Sequence, residues 1–456
     1  LTIEQSSLLG TIPLINTDPT IISKPGEWPV VREIRPETLP FSRVLIVDGA
    51  EKNTVSKSGF SVVATNMDDL GENSIPNSDL VKKLTPTFKS HSINLLRGDV
   101  GGVNIPVDPH VKSDMSAHIQ SDHSFRYFPG HIPGVKEGIA QFYNKLGEFR
   151  YTPEMVMLAP VRAKMMPSWI NPLLAPDTEI VTTWPCYNPT SSAAIMGGRK
   201  IHLVDVVSEE RGFMPFIEYV SLLLDEGKTL FMNLATPGNP LSNLFTKEES
   251  NALADLMALY PTLGFLHDEA YRGYQHEISE IHSPLLKSYQ DNTPPQALRL
   301  SVVSASKLHN NANAPARIAA NPVTIQLLEK YVLATATQAN TVDRLVLQTQ
   351  VDAIDWKFPK EWMSQINQFK QIIVQTGGVP GLKLLSSTAP PFITFEVKDF
   401  LNRTCLTSTQ LQAYCLTHGL SLLVGGFGIK SDTILRIGVT SMSGFQHIDF
   451  ANRLVT

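Results

Sequence analysis

Cysteine is scarce in this chain: Cys186, Cys405 and Cys415 are the only three in 456 residues. Their number and spacing frame neither a disulfide-stapled fold nor a zinc site, and a reducing, cytoplasmic setting is expected. Long hydrophobic runs are missing too, so no segment is expected to cross a bilayer, and no signal-peptide pattern is present at the start. Charge of one sign is also lacking. Lys and Arg number 38 against 43 Asp and Glu, a net charge of −5, with no dense basic stripe; this argues against nucleic acid as a partner. There is no internal repeat and no low-complexity tract. The glycine run Gly425-Gly-Phe-Gly428 lacks the strand–loop–helix setting of a phosphate loop and reads as a turn.

What is present is an ordinary globular composition, 42% apolar and 18% charged, in a chain long enough for two domains. Residues 1–90 are proline-rich and irregular, with strand patterns at 43–48 and 59–64. They are expected to form an N-terminal extension packed on the main body and covering the mouth of the site. Residues 91–133 form a connecting segment that contributes to the site and to a smaller domain.

Over residues 134–350 the pattern alternates between helix and strand. A helix is expected at 134–146, with Val135, Ile139, Phe142 and Tyr143 on one face. Strands are expected at 154–159, 179–184, 200–206, 229–235, 263–267 and 298–303. Thr246-Lys-Glu-Glu249 reads as a capping box opening a helix that runs to about Tyr260. This order implies a large α/β domain with a mainly parallel central sheet flanked by helices, whose ligands bind beyond the carboxyl ends of the strands. Residues 351–456 read as a smaller α+β domain, with a helix at 361–374 and strands at 392–397, 420–424 and 434–439.

Three strand ends carry the candidate chemistry. Asn239 follows the first, Asp268 ends the second and Lys307 ends the third. A partly desolvated lysine amine can lose its proton near neutral pH and add to an aldehyde. A pyridine-aldehyde cofactor needs such a lysine, a carboxylate for its ring nitrogen, amide or phenol donors for its ring oxygen, and a cation with backbone N–H groups for its phosphate. Each residue also has a plainer reading. Lys307 can be a solvated loop lysine, Asp268 a helix N-cap, Tyr271 a packing residue, and Arg317 one half of a surface ion pair.

The chain resembles the class I/II aminotransferases of pyridoxal phosphate (PLP) fold type I, the aspartate aminotransferase superfamily, over roughly residues 92–445. Thr236-Pro-Gly-Asn-Pro-Leu-Ser242, Asp268-Glu-Ala-Tyr271, Ser304-Ala-Ser-Lys307 and Pro185-Cys-Tyr187 resemble family motifs in order and spacing. The resemblance implies a Schiff base between Lys307 and pyridoxal 5′-phosphate, with Lys307 as proton shuttle. It implies Asp268 on the pyridine nitrogen, and Asn239 and Tyr271 on the ring oxygen. Tyr187 would stack on the ring face, with Trp184 as the alternative. Ser304 and Arg317 would hold the phosphate, together with Tyr127 reaching from a neighbouring subunit. Arg436 would grip the substrate α-carboxylate, and Gly98 would line the substrate space. Implied with these are an α-amino acid and a 2-keto acid as substrates and a homodimer with shared active sites.

The chain departs from the family in four places. The phosphate cup reads Ala159-Pro-Val-Arg-Ala-Lys-Met165, without glycine, and Arg162 is the residue expected to compensate. The loop between Lys307 and Arg317 is longer than usual. Leu241-Ser242 replaces Thr-Gly, and the N-terminal extension is long. Three activities therefore stay open: an aminotransferase, another PLP enzyme on the same fold (lyase, decarboxylase, cyclase or oxidase), or a catalytically silent binding module.

Overall fold

The structure, a computed structural model, describes residues 94–456 except 100, 122–133, 148, 208–211, 275–281, 290–295, 309, 311–313, 336–340, 354–356, 386–387 and 443. Ahead of them it describes residues 20–21, 31–34, 44–48 and 86. The strands, in chain order, are β1 (Thr20–Ile21), β2 (Val31–Ile34), β3 (Val44–Val47), β4 (Leu96–Arg97), β5 (Val156–Leu158), β6 (Glu179–Trp184), β7 (Ile201–Asp205) and β8 (Leu230–Ala235). They continue as β9 (Gly264–Asp268), β10 (Arg299–Ser304), β11 (Ala316–Ala320), β12 (Lys383–Leu384), β13 (Phe392–Glu396), β14 (Leu420–Ser421), β15 (Leu423–Val424) and β16 (Ile434–Gly438).

Among the described residues, ten strands form one sheet in the order β1-β2-β3-β7-β6-β8-β9-β10-β11-β5. Its centre, β7 through β10, is parallel. These strands are buried on both faces, which is why they read as near-continuous apolar runs such as Leu-Phe-Met-Asn-Leu-Ala. β9 approaches β8 so closely that a Cβ on Gly264 would lie 2.4 Å from the Phe231 ring; only glycine fits there.

The helix Lys247–Leu259 between β8 and β9 opens with the expected capping box. Thr246 Oγ1 accepts the Glu249 N–H at 3.1 Å, and Glu249 Oε2 accepts the Thr246 N–H at 2.8 Å. A second sheet, β12-β13-β16-β15, lies over its own apolar cluster that includes Phe369, Phe395, Ile437 and Phe450. β4 pairs with β14, tying residues 96–97 to that part of the fold.

The strand expected at 43–48 is β3, and the one expected at 59–64 lies outside the described residues. The described strands of the extension do more than pack on the body. β3 pairs antiparallel with β7, β2 with β3 and β1 with β2, so the extension continues the central sheet. β3 is fully buried, and Arg32 Nη2 lies 2.7 Å from Asp48 Oδ2. These strands stand beside β7, with β7, β6, β8 and β9 between them and β10, and not over the strand end that leads to Lys307. Most expected strands shift by a residue at an end, and two differ more. Residues 153–155 form a 3-10 turn before β5, with Pro153 at its first position, and 420–424 divides into β14 and β15, which pair with different strands.

Candidate active site

Lys307 does not end a strand as expected. β10 stops at Ser304, and Ala305–Leu308 forms one helical turn. Ser304 Oγ lies 2.6 Å from Ser306 Oγ and accepts the Ser306 N–H at 3.2 Å. A serine side chain that bonds to the backbone two residues on turns the chain out of the strand. The turn is fixed from Tyr274, whose hydroxyl donates to the Lys307 carbonyl at 3.0 Å.

Lys307 Nζ donates to the Gly101 carbonyl at 2.5 Å and lies 5.1 Å from the centre of the Tyr271 ring. Burial is the main reason its amine is pushed down to about 8; the Arg436 charge adds to the fall and the Asp268 charge opposes it. Asp268 ends β9 on the neighbouring strand, where its Oδ1 accepts the Ala270 N–H at 2.9 Å. Its carboxyl is pushed up to about 6, first by burial and further by the Glu269 charge, against the Ala270 N–H and the charge of Lys307.

Arg436, in β16, is 5% exposed. Its Nη1 donates to Asn239 Oδ1 at 2.9 Å and its Nη2 to the Asp99 carbonyl at 2.8 Å. The guanidinium lies 4.3 Å from the Phe392 ring centre and 5.2 Å from that of Phe427. Burial lowers its pKa, opposed by Tyr271, Asp99 and Tyr187. A buried guanidinium whose fork meets only neutral acceptors among the described residues is suited to an incoming carboxylate.

Tyr271 packs edge-on against Tyr274 and Phe392. Burial raises both its phenol and that of Tyr187; Asp268 adds to each rise and Arg436 opposes it. Tyr187 thus shares one electrostatic environment with Asp268, Tyr271 and Arg436. Trp184 is instead 1% exposed in the main core, and its Nε1 donates to the Ile429 carbonyl at 2.9 Å. Beside Tyr187 and Asn239 opens a shallow crevice whose walls include Thr183, Thr190 and Asn233.

The other expected residues stand elsewhere. Arg317 lies opposite Val303 in β11, so strand alternation puts its side chain on the other sheet face from Asp268 and Ser304. Its guanidinium is 3.8 Å from the Phe142 ring centre and donates to Gln350 Oε1. Arg162 caps the short turn Ala163–Met165 and is exposed. Gly98 is buried where a Cβ would come within 2.9 Å of Phe450, a position set by packing. Gly101 is the glycine that faces the site, 3.6 Å from Arg436 Nη1 by the same measure. Tyr127 lies outside the described residues.

The Thr-Gly to Leu241-Ser242 exchange has a physical account. Ser242 adopts φ +53°, a left-handed conformation that favours glycine. It is fully buried, its Oγ accepts the Phe392 N–H at 2.9 Å, and its carbonyl accepts the N–H groups of Thr388 and Ala389. Within the segment expected to contribute to the site, sequence reasoning missed the groups that do so: the carbonyls of Asp99, Gly101, Gly102 and Ile105 meet Arg436, Lys307, Thr440 and Asn310. Backbone acceptors leave no side-chain signature; the pair Gly101-Gly102 was the one available signal.

A lysine amine in the turn beyond β10 and a carboxylate at the end of β9 thus lie within electrostatic reach of each other and of a buried arginine, in a mixed α/β fold. The chain belongs to the aminotransferase class I and II family, which it matches over residues 91–318, and is an aminotransferase. No curated protein sequence matches it. Solved structures do. An aspartate aminotransferase single mutant from Thermus thermophilus is 17% identical, with 83% of this chain and 96% of that one covered and a TM-score of 0.67. The aspartate aminotransferase of Rhizobium meliloti is 15% identical, with 89% and 98% covered and a TM-score of 0.67. Substrate-bound BacF from Bacillus subtilis is 18% identical, with 83% and 94% covered and a TM-score of 0.66. At these identities the likeness carries the fold.

Proposed function

We propose that the protein moves an amino group from an α-amino acid to a 2-keto acid, with pyridoxal 5′-phosphate held at Lys307. The observation that carries this reading is the pairing of a lysine amine pushed down to about 8 with a carboxyl pushed up to about 6 on the adjoining strand end. The donor set fits the cofactor in its chemistry: an amine, a carboxylate, an amide and two phenols lie near one another around Arg436.

When bound, pyridoxal phosphate supplies an aldehyde for amine exchange and a ring that accepts electrons from the substrate α-carbon. Lys307 would hold the cofactor's aldehyde carbon and would move the proton at the substrate α-carbon. Asp268 holds a proton on the ring nitrogen by its charge. Asn239 and Tyr271 serve the ring oxygen, and Tyr187 covers the ring face. Arg436, steadied by Asn239, exchanges its Asp99 carbonyl for the substrate α-carboxylate. Gly98 supports the segment that lines this space.

Ser304 stands on the phosphate side. Arg317, on the other sheet face against Phe142 and Gln350, joins it only if β11 turns that face over, and Arg162 and the partner protomer's copy of Tyr127 complete the phosphate site in a homodimer. The cytoplasm suits its free thiols: Cys186 and Cys415 are buried and each is pushed up to about 12 by burial.

The test is amino-group exchange between ¹⁵N-labelled amino acids and 2-keto acids. Label in the product amino acid is expected. Ammonia or carbon dioxide release without exchange would move the reading to a lyase or decarboxylase.

A further inference from the structure

Behind Asp268 and Tyr271 lies a second set of charged groups that the chemistry above does not use. Glu269 and Arg272 alternate with them in the same run and turn the other way, into the interior. They are 3% and 2% exposed, and Arg272 Nη1 donates to Glu269 Oε1 at 2.7 Å. The guanidinium lies 5.5 Å from the Tyr143 ring centre and 5.9 Å from that of Tyr151. His267 Nδ1 is 3.9 Å from the same Glu269 oxygen, and its Nε2 is 2.6 Å from Thr236 Oγ1. Burial lowers the His267 pKa, which favours a neutral ring. Thr236 begins the loop that carries Asn239. His267 Nδ1 makes no hydrogen bond among the described residues, so the ring bonds to Thr236 and packs beside Glu269 where the ends of β8 and β9 adjoin.

An ion pair this deep is a poor way to stabilise a fold. Its desolvation offsets its attraction, and apolar residues of similar size are often as good or better. Glu269 Oε2 and Arg272 Nε have no partner among the described residues, which adds to the cost. What the pair does supply is a fixed direction for the turn. Glu269 N–H donates to the Val302 carbonyl at 2.8 Å and Arg272 N–H to the Glu269 carbonyl at 2.8 Å, so the turn is pinned at both ends of the pair.

We infer that Glu269 and Arg272 are positioning residues: their buried ion pair sets the placement of Asp268 and Tyr271 against Lys307. This inference rests on the roles proposed for Asp268 and Lys307.

The test reads Lys307 itself, without turnover. The full chain, freed of any bound aldehyde cofactor, is labelled at pH 7 with trinitrobenzenesulfonate, and the Lys307 rate is followed by peptide mass spectrometry. Glu269→Gln/Arg272→Met removes both charges together. It is expected to change the rate by about fivefold or more in the parent and by less than about twofold when Asp268→Asn is also present, because coupled residues are not additive. Arg272→Lys, which keeps the charge, is measured alongside as a milder variant and is expected to fold and to change the rate partway. An unchanged rate in both Arg272 variants, or the same change with and without Asp268, would overturn the inference and leave the pair a structural element. Failure of the parent protein to take up pyridoxal phosphate would sink the proposed function and not this result, since the labelling needs no cofactor.

Discussion

Lys307 and Asp268 are ordinary residue types made unusual by placement. Burial moves the amine down to about 8 and the carboxyl up to about 6, so between those pH values both are charged in the cofactor-free protein. The direction of each shift sets an expected pH dependence. Aldehyde addition at Lys307 needs the neutral amine, so its rate should rise as pH increases through about 8 and then level. As pH falls through about 6, Asp268 gains a proton and its support for the lysine charge is lost. A labelling rate that climbs to the usual lysine range without a break near 8 would contradict the burial argument. At this scale the sequence was most legible in the set of side chains that the fold brings together. Lys307, Asp268, Tyr271, Asn239, Tyr187 and Arg436 stand within one site. Arg317 was not legible in this way, because its reach depends on which sheet face β11 presents, and the loop before it sets that register.

Among elements, the legible ones were those with strong local signals. Thr246 and Glu249 announce a helix start that the structure repeats bond for bond, and β6 has the expected bounds of 179–184. Thr246→Ala should lower stability by about 1 kcal/mol, the usual loss for a helix N-cap, and leave amino-group exchange unchanged. Denaturant unfolding with parallel exchange assays checks both parts. A loss of activity without a loss of stability would mean that the helix does more than carry β8 to β9. Elements defined by tertiary pairing were less legible. Nothing local in Leu420–Val424 says that β14 will pair with β4 and β15 with β16. The turn at Ala305–Leu308 likewise comes from two serines bonding to each other in the folded chain.

At the scale of the whole molecule, the extension continues the central sheet by three strands on the far side of β7. An uncovered sheet edge is a template for pairing with other chains, and Ile201 and Leu203 of β7 are fully buried beside β3. Removing residues 1–48 should therefore cause self-association, seen by light scattering, while the ranking of amino acid substrates stays the same. A truncated protein that keeps its oligomeric state but changes that ranking would place the extension at the site. The central claim is tested most directly by the absorbance spectrum of the purified protein with pyridoxal phosphate, before and after borohydride, beside Lys307→Ala. The account predicts a visible band at about 410–430 nm that borohydride abolishes, a pyridoxyl group on Lys307 by mass spectrometry, and neither in the variant. A folded protein with no band and no label on Lys307 would contradict it.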